Sequence, residues 1–428
     1  MIRVLLMLLT GIAGSLFLFP FNLPFAPTVN TKMVLAALGA AIFFIEKTQH
    51  RSSSISKDFL ILLIICLFIS IWAFFCTVVN RTSDYAFATY FISVMVWLGA
   101  AYTFTWMIRQ THGQLDVQLI SSYLVAICVF QCLIAYAMSF FPDLKQAINQ
   151  MMGYSGEYLP RLKGRLYGIG AILDPAGLRF SGVLVILAFM MHRHDYGKQP
   201  WKGVCLILAF LIISVIGNMI ARSATIGMLL AIVYLIIVPL FNENKEGHGS
   251  FRTMFIPILC IFILLSFLLY QSSPDFRTNL RFGFEGFFSL AEKGRWEVHS
   301  NDVLRSMVVW PESLKTWIIG DGYFASPNDL PNRFGQVLDG FYMKTDIGYL
   351  RYIFYFGTIG LVGMISVFFQ MTATCVKCFK GGYATMFIGL LIVTLVGWLK
   401  VSSDIIMVFA PFLILAYQQD NDSYVADK

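Results

Sequence analysis

Between Gly203 and Leu240 the chain carries a single full charge, Arg222, in a run about twice the roughly 20 residues that cross a bilayer once. Two membrane spans that meet at Arg222 account for both the length and the charge. Apolar windows recur along the chain at 4–20, 27–45, 58–79, 85–107, 117–141, 169–191, 203–220, 223–241, 253–271, 346–370, 383–399 and 401–417. About twelve spans are therefore expected, the second and the last two being the weakest, since Pro27, Lys32, Lys400 and Asp404 interrupt them. With 13% charged residues, 58% hydrophobic residues and a mean hydropathy of +0.72, the composition lies far from the roughly 25% charged of soluble domains. The expected class is all-α, a polytopic transmembrane helix bundle.

The first twenty residues place Arg3 ahead of an apolar core, as a secretory signal does. No small-x-small cleavage site follows, so they read as an uncleaved first helix. The eight cysteines fall in spans or at span ends and imply no disulfide framework. Cys375 and Cys378 have CxxC spacing but stand alone at a helix end, and read as two unpaired thiols.

Short polar loops such as EKTQHRSSSISK, HRHDYGKQPWK and KCFKGG hold Lys or Arg on alternate connections. The positive-inside rule then puts these loops and both termini in the cytoplasm. The resulting organisation is 1–141 N-terminal helices, 142–168 a first basic external loop, 169–271 central helices, 272–345 a large external loop, 346–418 C-terminal helices and 419–428 a tail.

This topology leaves 18 of the 31 Lys and Arg on the external side, and eleven of those are Arg. The planar guanidinium fork binds phosphate bidentately, so an anionic ligand at the outer face is the simplest account. Isolated loop arginines also snorkel to lipid phosphates. Arg222 is different, because a charge held between two spans is a functional candidate by default.

Within the large loop, GRWEVHSNDVLRSMVVW reads as one amphipathic helix, with Arg295, His299, Asp302 and Ser306 on one face and Trp296, Val303, Met307 and Trp310 on the other. WIIGDGYF follows as a tight turn, and Thr345 and Asp346 open the tenth span, with Arg351 further in. Glycines and Asp174-Pro175 mark turns in the shorter loop. There is no Walker P-loop, no HExxH and no Gly-x-Ser-x-Gly elbow. The only Asp-x-Asp, at Asp420 and Asp422, lies in a polar tail.

The order of a basic loop, ARSATIG, GRW, GDGYF and TDIGYLRYIFYFGTIGLVG between about residues 160 and 365 resembles the O-antigen polymerase and O-antigen ligase superfamily of bacterial membrane glycosyltransferases. The resemblance implies a metal-independent, cofactor-free GT-C type enzyme of the bacterial inner membrane. Its substrate would be an oligosaccharide on undecaprenyl diphosphate, used at the periplasmic face. Membrane lipid and a chain-length regulator protein are the other partners expected, and nucleic acid is not.

In such a transfer an acceptor hydroxyl displaces the lipid diphosphate, and guanidinium groups in a partly dry pocket stabilise the charge that grows on the leaving group. By position the resemblance assigns Arg222 and Arg295 to the diphosphate, with Arg161, Arg165 and Arg351 as further candidates. Ligases commonly carry a His-Asn pair where this chain has Thr345-Asp346, which favours polymerase over ligase. Asp346 or His299 would then take the hydroxyl proton. A lipid-linked oligosaccharide flippase is the expectation from another class, but no internal repeat and almost no mid-span charge support it.

Overall fold

The computed structural model describes residues 2–49, 56–153, 162, 164–241, 248–326 and 340–426. The chain is almost wholly helical and forms two compact units: Met1–Val117 with His299–Lys428, and Gln118–Val298. Seven of the described helices are long and apolar enough to cross a membrane, and shorter apolar helices lie at Ile2–Leu18, Ala224–Ile237, Ala384–Gly397 and Ile406–Gln419. A helical membrane bundle is the architecture.

The first unit holds α1 (Ile2–Leu18), α2 (Thr31–Gln49), α3 (Lys57–Asn80) and α4 (Tyr90–His112), then α13 (His299–Ser306), α14 (Leu314–Ile318), α15 (Gly348–Cys378), α16 (Ala384–Gly397) and α17 (Ile406–Ala426). Apolar runs form helices here, with Gly39 and Gly99 inside α2 and α4 and Pro411 inside α17, because in lipid a helix is the way one segment satisfies its own backbone. The second expected span starts late: Ala26–Asn30 instead pairs as a strand with Asn22–Leu23, and the helix begins at Thr31. Small residues bring α2 and α4 together, since a Cβ on Gly39 would fall 1.9 Å from the Gly99 carbonyl oxygen. The acidic residue in α2 is neutralised locally, because Glu46 accepts from both Tyr102 and Arg109 of α4.

The tenth expected span, α15, is broken. Phe356 and Gly357 leave helical geometry, with φ +70° and ψ −173° at Gly357. The break frees carbonyls that would otherwise accept from the next turn, and the GDG turn takes them up. Asp321 N donates to Phe354 O at 2.6 Å and Gly322 N to Tyr355 O at 3.1 Å, while Trp72 Nε1 of α3 donates to Phe356 O at 2.8 Å. A Cβ at Gly320 would lie 2.6 Å from Tyr355 and Phe356 backbone atoms. Gly320 and Gly322 have φ +79° and +74°; the turn is thus read correctly as a turn, and its fit against the break is what requires glycine.

The second unit holds α5 (Val117–Phe140) from Gln118 onward, then α6 (Pro142–Met151), α7 (Leu173–Arg193), α8 (Pro200–Ile220), α9 (Ala224–Phe241), α10 (His248–Ser272), α11 (Pro274–Gly283) and α12 (Glu285–Lys293). Helices α8 and α9 meet at residues 221–223, where the lone charge of the apolar run predicted a turn. Helix α9 lies tightly on α7: a Cβ on Gly227 would be 2.2 Å from Ser181 Cα. Ser181 Oγ donates to Ser223 O and accepts from Gly227 N.

The large loop differs from its expectation. GRWEVHSNDVLRSMVVW is not one helix: only His299–Ser306 is helical, and α11 and α12 precede it. Gly294, at φ +69°, ends α12 in a left-handed cap. Ser289 Oγ then accepts the Glu297 N–H, and Trp296 fills the space beside Gly286. Arg295 therefore does not share a helical face with His299. The apolar assignment also shifts, since Val303 and Trp310 are exposed while Leu304, Met307 and Val309 pack on Ile347, Leu350 and Phe354.

Candidate functional site

In the second unit, two arginines distant in sequence share one aromatic ring. The Arg222 and Arg165 guanidinium carbons lie 4.7 and 4.9 Å from the Phe282 ring centroid. Three local features build this arrangement. The turn between α8 and α9 presents Arg222, the end of α11 supplies Phe282, and the chain before α7 is tied to the α8 end by Leu166 N donating to Met219 O. Gly283, next to the ring, leaves room for the Asn218 backbone, about 3.0 Å from where its Cβ would stand. Buried Gln131 of α5 fixes the approach to α7, its amide bonding Ile169 N and Ile169 O.

Carboxylates balance the pair. Arg222 Nη1 donates to Glu285 Oε2 at the start of α12, and Asp174 Oδ1 accepts from Ser223 Oγ at 2.8 Å. Asp174 and Pro175 belong to the first turn of α7 rather than to a free turn, and Leu173 before them adopts φ +54°, a conformation costly for a branched side chain. Burial pulls Arg165 below its usual basicity, Asp174 opposes that shift, and Arg222 adds to it. Arg165 Nε is buried without a hydrogen-bond partner. Two half-buried guanidinium groups thus share one ring, with the Glu285 carboxylate on Arg222 Nη1 and Asp174 acting on Arg165.

The other arginines stand differently. Arg295 is exposed and pairs with Glu297 at 2.6 Å. Arg161 lies outside the described residues. In the first unit, Arg351 is buried and bonded inward: Nη1 donates to Ser402 Oγ at 2.7 Å, Nη2 to Phe324 O at 3.1 Å, and the guanidinium stacks 3.6 Å from the Phe324 ring centroid and 4.3 Å from that of Phe341. Its bonding joins α15 to the chain before α17 and to the GDGYF turn.

Asp346 sits before α15, which begins at Gly348, with its carboxylate 3.6 Å from Arg351 Nη1. Thr345 is fully buried and accepts from Ile347 N. His299 opens α13 and is exposed.

Sequence reasoning missed Phe282, Glu285 and Asp84. Asp84 Oδ2 accepts from Phe324 N and Ala325 N at 2.8 and 3.0 Å, fixing the end of the GDGYF turn. None of the three has a local sequence signal, because each matters through a partner far along the chain. No family model matches the chain, and no curated protein and no solved structure matches it.

Proposed function

We propose that the protein is a glycosyltransferase that joins lipid-linked oligosaccharides, a polymerase of O-antigen, capsule or exopolysaccharide repeats carried on undecaprenyl diphosphate. The observation that supports this reading best is the Arg165–Phe282–Arg222 arrangement, at the turn between two apolar helices. Diphosphate is dianionic or more at neutral pH, and two forks held in a partly dry site match its oxygens without a metal ion. As the glycosidic bond to the donor phosphate breaks, charge builds on the bridging oxygen, and fixed guanidinium groups stabilise it with no reorganisation at the moment of reaction.

Asp346 is the proposed acceptor of the hydroxyl proton, with His299 as the second candidate. In this reading the donor-binding end faces the periplasm of a bacterial inner membrane, the termini lie in the cytoplasm, and a chain-length regulator sets product size.

The test is a gel of surface polysaccharide and of lipid-linked intermediates from a host lacking the gene, complemented with the wild type, Arg222→Ala or Arg165→Ala. Glycan capped at one repeat in the deletion and in both variants, with normal protein insertion, supports the polymerase and its site. Full-length polymer stranded on undecaprenyl diphosphate identifies a ligase instead. Repeats accumulating on the cytoplasmic side identify a transporter, and wild-type chain lengths in Arg222→Ala overturn the site.

A further inference from the structure

Two carboxylates of the second unit stand beside the Arg165–Arg222 pair, and they are held differently. Glu285, in the first turn of α12, bonds the Arg222 guanidinium itself, so an incoming anion competes with it for that group. Asp174 bonds the residue next to Arg222 instead, its Oδ1 accepting from Ser223 Oγ at 2.8 Å.

The Asp174 bond belongs to a tight seam between α7 and the turn that carries Arg222. Ser223 is buried. A Cβ on Gly177 would fall 2.2 Å from Ser223 Oγ and 2.8 Å from Ala221 Cβ, so the turn lies on α7 because position 177 has no side chain. Asp174 and Gly177 are three residues apart in one helix and share a face, and Ser223 Oγ meets both. Ser181, one turn further on, donates to Ser223 O at 2.8 Å. The chain enters α7 through Leu173 at φ +54°, a strained entry of the kind that persists where its surroundings over-determine it. Asp174 is thereby anchored to the Arg222 turn, and its charge supports the Arg165 guanidinium.

A diphosphate held by the two guanidinium groups would meet this anchored carboxylate as a like charge. An ionised carboxylate is an acceptor only, so it favours a ligand that presents a donor to it. In a glycosyl diphosphate the hydroxyl donors are on the sugar; the ionised phosphates and the polyprenyl chain have none. A carboxylate offers about four lone-pair sites, and the bond from Ser223 leaves capacity for a ligand hydroxyl.

We propose that Asp174 recognises the sugar of the donor: its carboxylate accepts a hydroxyl of the glycosyl unit attached to the diphosphate, and so selects glycosyl diphosphates over phosphate anions that carry no sugar. The hydroxyl is a binding contact and keeps its proton. The inference rests on the diphosphate reading of Arg165 and Arg222 and adds to it a specificity-determining residue.

The test compares full-length wild type with Asp174→Asn, which keeps an oxygen for Ser223 Oγ and removes the charge. Isothermal titration with inorganic pyrophosphate, an anion without a sugar, is expected to show binding to Asp174→Asn tighter by about fivefold or more, the weight of one unit charge about 4 Å away in water. Cells carrying the same variant are expected to make less surface polysaccharide, because the sugar has lost its acceptor. A merely structural Asp174 would weaken both readouts together rather than move them in opposite directions. Asp174→Glu keeps the charge and shifts the carboxylate by one methylene, so the outcome does not rest on one variant folding; its pyrophosphate affinity should stay near wild type while surface polysaccharide falls. Unchanged or weaker pyrophosphate binding in Asp174→Asn, or wild-type polysaccharide in both variants, overturns the proposal. Absence of pyrophosphate binding in the wild type, or undiminished binding in Arg222→Ala, refutes the diphosphate reading itself and the proposal with it.

Discussion

Replacing Gly357 by Ala tests the broken helix directly. Its φ of +70° with ψ of −173° belongs to a region essentially reserved for glycine, where another residue costs about 1–3 kcal/mol. The added Cβ would also meet Ile318 O at 2.0 Å and Ile319 N at 2.6 Å. These are backbone atoms of a turn that is itself bonded to Phe354, Tyr355 and Asn80, so the clash is not relieved by rotating a side chain, and overpacking of this kind adds about 1–3 kcal/mol.

The sum, about 2–6 kcal/mol, has an internal control. Gly381 also has positive φ, +86°, but nothing lies within 4 Å of its would-be Cβ, so Gly381→Ala carries only the backbone cost, about 1–2 kcal/mol. Thermal unfolding of purified protein in one detergent, followed by size-exclusion of the soluble fraction, compares the two. For a chain of this size a shift of about 1 °C per kcal/mol gives a fall of about 2–6 °C for Gly357→Ala and about 1–2 °C for Gly381→Ala. Equal shifts for the two variants would refute the reasoning, since they would mean that the GDG turn is not packed against the break.

Arg351→Met should lower stability by about 3 kcal/mol, because it leaves Asp346, Ser402 Oγ and the Phe324 carbonyl without their shared donor; a thermal shift equal to that of a surface variant would count against the clamp. Glu285→Gln should tighten binding of inorganic pyrophosphate to the purified protein by on the order of tenfold, since the carboxylate now on Arg222 competes with an incoming anion; isothermal titration that finds weaker binding would show that Glu285 instead organises the site. Arg295→Ala should leave polysaccharide chain length near wild type, given an exposed side chain paired with Glu297, and single-repeat product on the same gel would restore it to the site. The Arg281 pairing with Glu292 holds that carboxylate below its ordinary value. A lowered folded-state value contributes stability above the unfolded glutamate range and loses it as pH falls through the lowered one. The stability gap between wild type and Arg281→Gln, read by thermal unfolding, should accordingly be open at neutral pH and close on acidification.

The class and much of the element plan are legible in the order of the amino acids alone. Twelve apolar windows each contain a helix of the structure, because a lipid-embedded segment has no backbone partner but itself and its length follows from bilayer thickness. The same order locates the turn at Arg222, since one charge in so long an apolar run is tolerable at an end and costly inside. GDGYF was legible as a turn from its glycines alone.

Tertiary structure decided which arginines meet. Arg165 and Arg222 converge because Phe282, 60 residues beyond Arg222, supplies a ring between them, a relation that no local periodicity encodes. Arg351, a further candidate for the diphosphate in the sequence, is turned inward by Ser402 and Phe324. The extent of the loop helix was set by the Gly294 cap and the Ser289 bond to Glu297, which outweighed an amphipathic pattern continuing through both. The break in α15 likewise lies inside an uninterrupted apolar stretch. It persists because Asp321, Gly322 and Trp72 bond the three carbonyls it exposes, and a helix in an apolar setting gives up its own hydrogen bonds only where other donors replace them.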